Sequence, residues 1–571
     1  MKSKMRLWRR IILVLLVLGI SGLSLVFIWA RQNYPAYAKD FYISNHWEES
    51  EEKVLARIEN AQWKNYALAP KIEHRVFRFN QTDDWIIPEN LFSDLKADHQ
   101  LLISVECWGS KYWPVYRSNP LSSVKDGLYD GKIKALAEEL AQLNREVYFR
   151  FNPQMEVPGR YFPWQEYPSI YIEAYQHVYH LIKDIAPKVK MLWGSAGYPG
   201  LEEFYPGSNY VDAMSINLIG ASENILEVYP KKEVSEELYR RLHRLRFFNH
   251  PCLILSGNHQ KLNGEMLREL AEYQQANPAI YNSSYFFTED FTKQRDSIFK
   301  FGAYDPDGKL LGLEKLNTEH LFVDLTLFME QGLPAALKSI AEREHDLILT
   351  LELHKDSNEV REERGLEKML AGNYDPCLDL LFGLLDSFPN SIYLRFPQEM
   401  EIPITRYPWQ SKDPKLYIDA YRYCMTYADS ALSNVKMIWG PAGDRGSLEW
   451  YPGADMVDYI SIAIYGLPDK NITDPNLQES FAQIYKRKSW RMRQAPESIF
   501  ITEFGVKGPE DYQKQWLIKA AETINAAPDL SGINYFNMHD VPKAWGDIEP
   551  PNWSVESETY AEFLEEIKPS Y

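Results

Sequence analysis

The chain has 571 residues, 45% hydrophobic and 25% charged, with a formal net charge of −18; these are the proportions of a folded protein with room for two or three domains. So acidic a chain repels polyanions, which excludes nucleic acid as an expected partner. Its 16 Trp and 37 Tyr are mostly core residues by expectation, but sugar rings also stack on aromatic faces, so carbohydrate binding gains weight.

Residues 1–10 form a basic segment with Lys2, Lys4, Arg6, Arg9 and Arg10, and Ile11 to Ala30 is an uncharged apolar run of 20 residues. That length crosses a bilayer as one helix, so a transmembrane anchor is predicted over 11–31. The acidic stretch of Glu48, Glu49, Glu51 and Glu52 follows, and the positive-inside rule keeps the N-terminus in the cytoplasm and sends the rest outside. Ala36-Tyr37-Ala38 has the small-x-small form of a signal-peptidase site, and cleavage there would give a secreted protein. The apolar run exceeds the usual signal core, which favours the anchor. Cys107, Cys252, Cys377 and Cys424 would then meet an oxidising compartment, as buried thiols or as bridges. No His/Cys/Asp cluster has metal-ligand spacing, no glycine-rich phosphate loop occurs and no nucleophile elbow is present, so neither metal nor cofactor is expected.

Beyond residue 45 the chain repeats itself about 246 residues apart. Tyr148-Phe149-Arg150-Phe151 is echoed by Tyr393-Leu394-Arg395-Phe396, and Gln154-Met155-Glu156 by Glu399-Met400-Glu401. Pro163-Trp164-Gln165 answers Pro408-Trp409-Gln410, and "KMLWGSAG" from Lys190 answers "KMIWGPAG" from Lys436. A repeat this long is a whole domain rather than a solenoid unit. In the second copy, strands are predicted near 301–304, 321–325, 347–353, 392–396, 435–439, 459–465, 499–502 and 533–536, with helices such as Leu333–Arg343 and Lys415–Leu432 between them. The runs lack polar alternation, as strands covered on both faces do. The predicted fold is α/β, two tandem (β/α)8 TIM barrels after the transmembrane helix, over 45–298 and 299–571. An open doubly wound sheet is the alternative, but no Gly-rich turn follows an early strand.

Chemistry belongs at the C-terminal ends of barrel strands. In the second copy Glu399 follows strand four and Glu503, within "FITEFG", closes strand seven. Glutamate is a poor strand former and is rarely buried without a partner. Two carboxylates at one barrel mouth are the equipment of a glycosidase, one as proton donor and one as nucleophile. Arg395, inside strand four, would orient a carboxylate or form a structural ion pair. Glu352 and His354, ending strand three, would bind hydroxyls or lie as rim residues. Trp409 and Trp439 would serve as sugar platforms, yet both recur as Trp164 and Trp193, which favours packing for at least one.

These motifs resemble a known family. "RFPQEMEIPITRYPW" is similar to the strand-four signature of glycoside hydrolase family 26, "YPGADMVDYISIAIYG" to its strand-six region and "FITEFG" to its nucleophile strand. The resemblance implies a clan A retaining mechanism with Glu399 as acid/base and Glu503 as nucleophile. It also implies that Tyr465 hydrogen-bonds the nucleophile and holds it ionised, and that Trp545 floors the subsite at the cleaved bond. The family's His before the acid is Gln398 here, and its following Asn is Glu401. A second carboxylate there would raise the acid's pKa or contact a sugar hydroxyl, and it leaves mannan specificity open.

At the corresponding places the first copy has Gln154, Ser256 and Ile219. An amide cannot donate as a carboxylic acid does, and an unactivated serine cannot replace the attacking carboxylate, so the first copy is expected to be degenerate. The expected protein is a membrane-anchored, extracytoplasmic β-glycosidase acting on a polysaccharide such as β-mannan, β-glucan or an exopolysaccharide, beside polysaccharide-synthesis machinery. The competing expectation is a non-catalytic glycan-binding or scaffolding protein.

Overall fold

The computed structural model describes residues 45–59, 65–109, 119–158, 162–218, 234–257, 261–281, 293–353, 364–403, 407–466, 478–540 and 549–568. The segment 11–31, the site near Ala38, Ile219, His354 and Trp545 lie outside them. Among the described residues no helix is long and apolar enough to cross a membrane. The chain divides into two compact units between Gln275 and Ala276, so residues 276–298 group with the second unit.

The first unit contains β1 (His46–Glu49), β2 (Val54–Ile58), β3 (Tyr66–Leu68), β4 (Ile72–Asn80), β5 (Gln100–Trp108), β6 (Val147–Phe151), β7 (Lys190–Trp193), β8 (Ala213–Asn217) and β9 (Cys252–Leu255). Strands β4 to β9 are parallel in sequence order, with helices such as Pro168–Ile185 between them. The prediction of an eight-stranded parallel barrel is corrected by the structure: among the described residues the unit is a curled half-barrel sheet with six parallel strands. Its flanks are antiparallel, β1 on β4 and β2 on β9. The hand-over is marked by Ser50 N donating to His74 O at 2.8 Å and Ser256 N to Lys53 O at 2.9 Å. One extended segment, residues 46–58, thus satisfies the exposed edges of both β4 and β9 where a barrel would carry two further parallel strands.

The second unit contains β10 (Lys300–Tyr304), β11 (Thr318–Asp324), β12 (Asp346–Glu352), β13 (Ile392–Arg395), β14 (Val435–Trp439), β15 (Tyr459–Ile460), β16 (Ala463–Tyr465), β17 (Ser498–Gly505) and β18 (Leu530–Phe536). All pair in parallel, and β10 on β18 together with β15 and β16 on β17 closes the ring. Since β15 and β16 are halves of one interrupted strand, this is a closed eight-stranded barrel. The interruption is held by Ser461, whose Oγ lies 2.6 Å from Thr502 Oγ1, next to the register shift between Ile501 and Phe504 on β17. Five buried residues, Ile348, Tyr393, Ile438, Tyr459 and Phe500, fill one layer of the barrel interior. Leu102, Tyr148, Leu192, Ala213 and Leu253 make the matching layer of the first unit. The repeated sequence therefore builds the same core layer in each unit, one below a closed mouth and one below the β1–β2 segment.

Candidate active site

Above its apolar layer the second unit carries buried polar side chains. His320, on β11, lies 2.8 Å from Thr350 Oγ1 and 3.1 Å from Asn534 Nδ2. Burial, reinforced by the Arg395 charge, holds its imidazole well below the ordinary pKa, so it stays neutral. Arg395, fully buried at the end of β13, fits because residue 440 is glycine: a Cβ there would overlap the guanidinium.

Arg395 Nη1 donates to Glu503 Oε1 in a buried ion pair. The other carboxylate oxygen accepts from Tyr465 Oη at 2.8 Å. The register explains this convergence, because Ala463 pairs with Glu503 and Tyr465 with Gly505, and alternate residues of parallel strands share a face. Burial first, then Glu503 and its hydrogen bond, then Glu399 and Asp540, push the Tyr465 hydroxyl well above its ordinary pKa. The phenol therefore remains a donor. Trp553 packs on Tyr465 with ring centroids 4.8 Å apart and holds it from behind.

Glu399 follows β13 with a positive φ of 55°, a strained conformation for a residue with a Cβ. Its amide donates to Gly440 O at 2.9 Å, which fixes the turn. The side chain is half-buried, and its charge acts on Tyr465, the residue bonded to Glu503. Gln398 Nε2 donates to Glu352 Oε1 at 2.7 Å, linking the residue before Glu399 to the end of β12.

Three sequence candidates sit elsewhere in the architecture. Glu401 is buried, and one oxygen accepts from Gly443 N at 2.9 Å, Asp444 N at 3.1 Å and Ser447 Oγ at 2.8 Å. It clamps the loop after β14; burial and the nearby Asp444 raise its own pKa. Trp439 is fully buried with its ring edge-on to Tyr451 at 5.2 Å, a packing position. Trp409 is likewise buried, stacked on Tyr407 at 4.8 Å and donating from Nε1 to Gln398 O at 2.7 Å.

The first unit repeats much of this frame with different chemistry. Gln154 has a φ of 58°, Glu156 accepts from the amides of Ala196, Gly197 and Tyr198 at 2.7, 2.8 and 3.1 Å, and Arg150 is buried. The carboxylate on Arg150 comes from an unexpected place. Glu52, between β1 and β2, accepts from Arg150 Nη1 at 3.0 Å, Gln154 Nε2 at 3.0 Å and Asn217 Nδ2 at 2.7 Å. Ser256, at the place of Glu503, instead accepts from Lys53 N at 3.0 Å. Sequence reasoning treated Glu52 as part of an acidic run and missed this role, since nothing local marks a contact with residues 98 to 165 positions away. Trp553 was missed too, being one buried Trp among many.

Among the described residues no group of three or more His, Cys, Asp or Glu could hold a metal ion. All four cysteines are free, and burial pushes the Cys252 and Cys424 thiols up to about 12.

The family model of glycosyl hydrolase family 26 matches residues 115–240. The match falls in the first unit, whereas the motifs quoted for the resemblance lie in the second. A beta-1,3-xylanase from Vibrio sp is 23% identical over 151 residues, 24% of this chain and 30% of that protein; the chain spans about a third of that relative's length. Among solved structures, a GH26 beta-mannanase from Bacteroides ovatus aligns over 48% of this chain and 90% of its own at 14% identity and a TM-score of 0.34. An endo-beta-mannanase/endo-beta-glucanase from Prevotella bryantii aligns over 88% of this chain and 92% of its own at 11% identity and a TM-score of 0.35.

Proposed function

We propose that the chain is a member of glycosyl hydrolase family 26, and that its second unit is a retaining β-glycosidase that cuts a β-linked polysaccharide with Glu399 and Glu503. The observation that carries this reading is the fixed carboxylate of Glu503, held through one oxygen by Arg395 and through the other by Tyr465 at 2.8 Å. In the first step Glu399 gives its proton to the glycosidic oxygen while Glu503 attacks the anomeric carbon. The C–O bond to the leaving sugar breaks and a glycosyl ester forms on Glu503. In the second step Glu399 takes a proton from water, which attacks the same carbon and releases Glu503. Tyr465 and Arg395 keep the nucleophile aimed through both steps.

On this reading the first unit does not hydrolyse. Gln154 and Glu52 are in direct contact at 3.0 Å, whereas a retaining pair needs about 5–5.5 Å between its carboxyls for a sugar carbon to react. β-Mannan, β-glucan and related exopolysaccharides are the substrate classes we propose. An N-terminal anchor over 11–31, outward-facing units and a place beside polysaccharide-synthesis machinery are part of the same proposal.

Release of reducing sugar from β-mannan, β-1,3/1,4-glucan and xylan tests it. We expect cleavage of at least one polymer and a loss of at least about a thousandfold in Glu503→Ala. Wild-type protein indistinguishable from Glu503→Ala on every polymer would overturn the enzyme reading in favour of a glycan-binding scaffold.

A further inference from the structure

The mouth of the second unit has two unlike walls. On the side of β12 and β13 it is polar, with Glu352 tied to Gln398 and Glu399 beyond it. On the side of β18, β10 and β11 it is aromatic. Tyr304, the last residue of β10, stacks on Phe536, the last residue of β18, at 5.0 Å, and meets Phe322 of β11 edge-on at 5.0 Å. Phe536 in turn lies 6.1 Å from the ring of Tyr465. Tyr304, Phe322 and Phe536 are each only partly buried, unlike the core aromatics beneath them.

The Tyr304 hydroxyl is open to the mouth. The residue is only partly buried, and no described side chain or backbone group occupies its hydrogen-bonding capacity. After burial itself, the groups that raise its pKa are Glu352, on the polar wall, and Glu503, so the hydroxyl lies within electrostatic reach of both carboxylates. Among its described residues the first unit has no such arrangement. No parallel strand among them stands where β10 stands, and Val76, paired with Ser104 as Phe322 is with Thr350, replaces the phenylalanine. The aromatic wall and the glutamate pair are thus present together in one unit and missing together from the other.

Resting on the glycosidase reading above, we propose that Tyr304 is a substrate-binding residue that selects the sugar next to the cleaved bond. A pyranose with its anomeric carbon at Glu503 packs a C–H face against the side of the Tyr304–Phe536 pair that borders the mouth. One of its ring hydroxyls accepts a hydrogen bond from Tyr304 Oη, and the hydroxyl edge of the sugar turns toward Glu352, which Gln398 orients as an acceptor. The ligand class is therefore a neutral β-pyranoside with a free hydroxyl at the position Tyr304 reads. A sugar bearing its own carboxylate would meet Glu352, Glu399 and Glu503 together and be repelled.

The test uses the full chain with 2,4-dinitrophenyl β-glycosides of the sugar it cleaves, in the parent form and deoxygenated singly at each ring hydroxyl. Tyr304→Phe keeps the ring stack, and an unchanged unfolding midpoint verifies that. We expect this variant to lose about tenfold or more in kcat/KM on the parent glycoside. On one deoxy glycoside it should equal wild type, because the partner of the lost hydroxyl is already gone. Equality on the parent, or the same loss on every deoxy sugar, would overturn the assignment. Wild type no better than Glu503→Ala on all of these glycosides would instead overturn the glycosidase reading on which the assignment rests.

Discussion

At Glu399 and Gln154 the backbone is the same and the chemistry is not. Both residues follow the buried arginine strand with a φ near +55°, at 55° and 58°, and both amides donate to the glycine carbonyl of the next strand, at 2.9 and 2.7 Å. The strained turn is thus a property of the fold, kept whether or not a carboxyl follows, and it delivers whichever side chain is there to the mouth. Replacing Glu399 by Ala should therefore leave the turn and remove only proton transfer. We expect kcat on polysaccharide to fall by about 10²–10⁴, while a 2,4-dinitrophenyl glycoside, whose leaving group needs no proton, still glycosylates Glu503 and gives a burst of dinitrophenol. Equal losses on both substrates would remove Glu399 from the acid role. Glu399 and Glu503 stand out in the sequence as carboxylates after or at the end of apolar strands, whereas Tyr465 is pointed to only by the family resemblance. Tyr304 and Trp553 do not stand out, since an aromatic residue at a strand end or in a late loop looks the same whether it packs or binds.

Among the elements, the strands of the second unit were readable to within a few residues, because each is an apolar run bounded by turn-forming residues. Strand direction was not readable, and there the first unit departs from expectation: residues 46–58 look like any short strand pair, yet they run antiparallel along both β4 and β9. What this segment does is concentrated in Glu52. Its carboxylate faces a guanidinium whose side chain is 1% exposed, against 27% for its own, so removing it strands a charge away from water. Glu52→Ala should destabilise the first unit by about 3 kcal/mol, and Glu52→Gln by less, since the amide still offers an oxygen to Arg150. Urea unfolding followed by tryptophan fluorescence measures both; an unaltered midpoint in Glu52→Ala would mean that Arg150 finds water or another partner. The loop after the fifth parallel strand of the barrel shows how an element reads ambiguously. Glu401 looks like an extra carboxylate beside the acid, but it caps backbone amides of that loop, while Lys488 Nζ and Arg491 Nη1 donate to its carbonyls at 2.8 and 3.0 Å. Glu156, Arg241 and Arg244 do the same in the first unit. Its presence in both copies marks it as part of the scaffold.

For the molecule as a whole, the two units share one more device, a neutral histidine walled into the layer above the apolar core, and it sets how the protein answers acid. His74 lies on β4 with Nε2 2.8 Å from Ser104 Oγ and Nδ1 3.2 Å from Glu52 O. Burial lowers its pKa from 6.5 to about 4; Glu52 opposes the shift, while Arg150 and Lys53 add to it. His250 is lowered to about 4 and His320 well below its ordinary value, again chiefly by burial. Above pH 6.5 these imidazoles are neutral in both the folded and the unfolded chain, and their contribution to stability is complete. Between 6.5 and 4 the unfolded chain takes up protons that the folded chain refuses, so stability falls as pH falls, by up to about 3 kcal/mol for His74 alone. The net charge of −18 at pH 7 works the other way, because acid relieves self-repulsion. A comparison with His74→Gln separates the two, since glutamine keeps a donor for Ser104, does not titrate and leaves the rest of the charge in place. Urea midpoints of the full chain at pH 7.0, 5.5 and 4.5 should drop more steeply for wild type than for His74→Gln in the transition of the first unit. Parallel slopes would show that the imidazole protonates without resistance in the folded state.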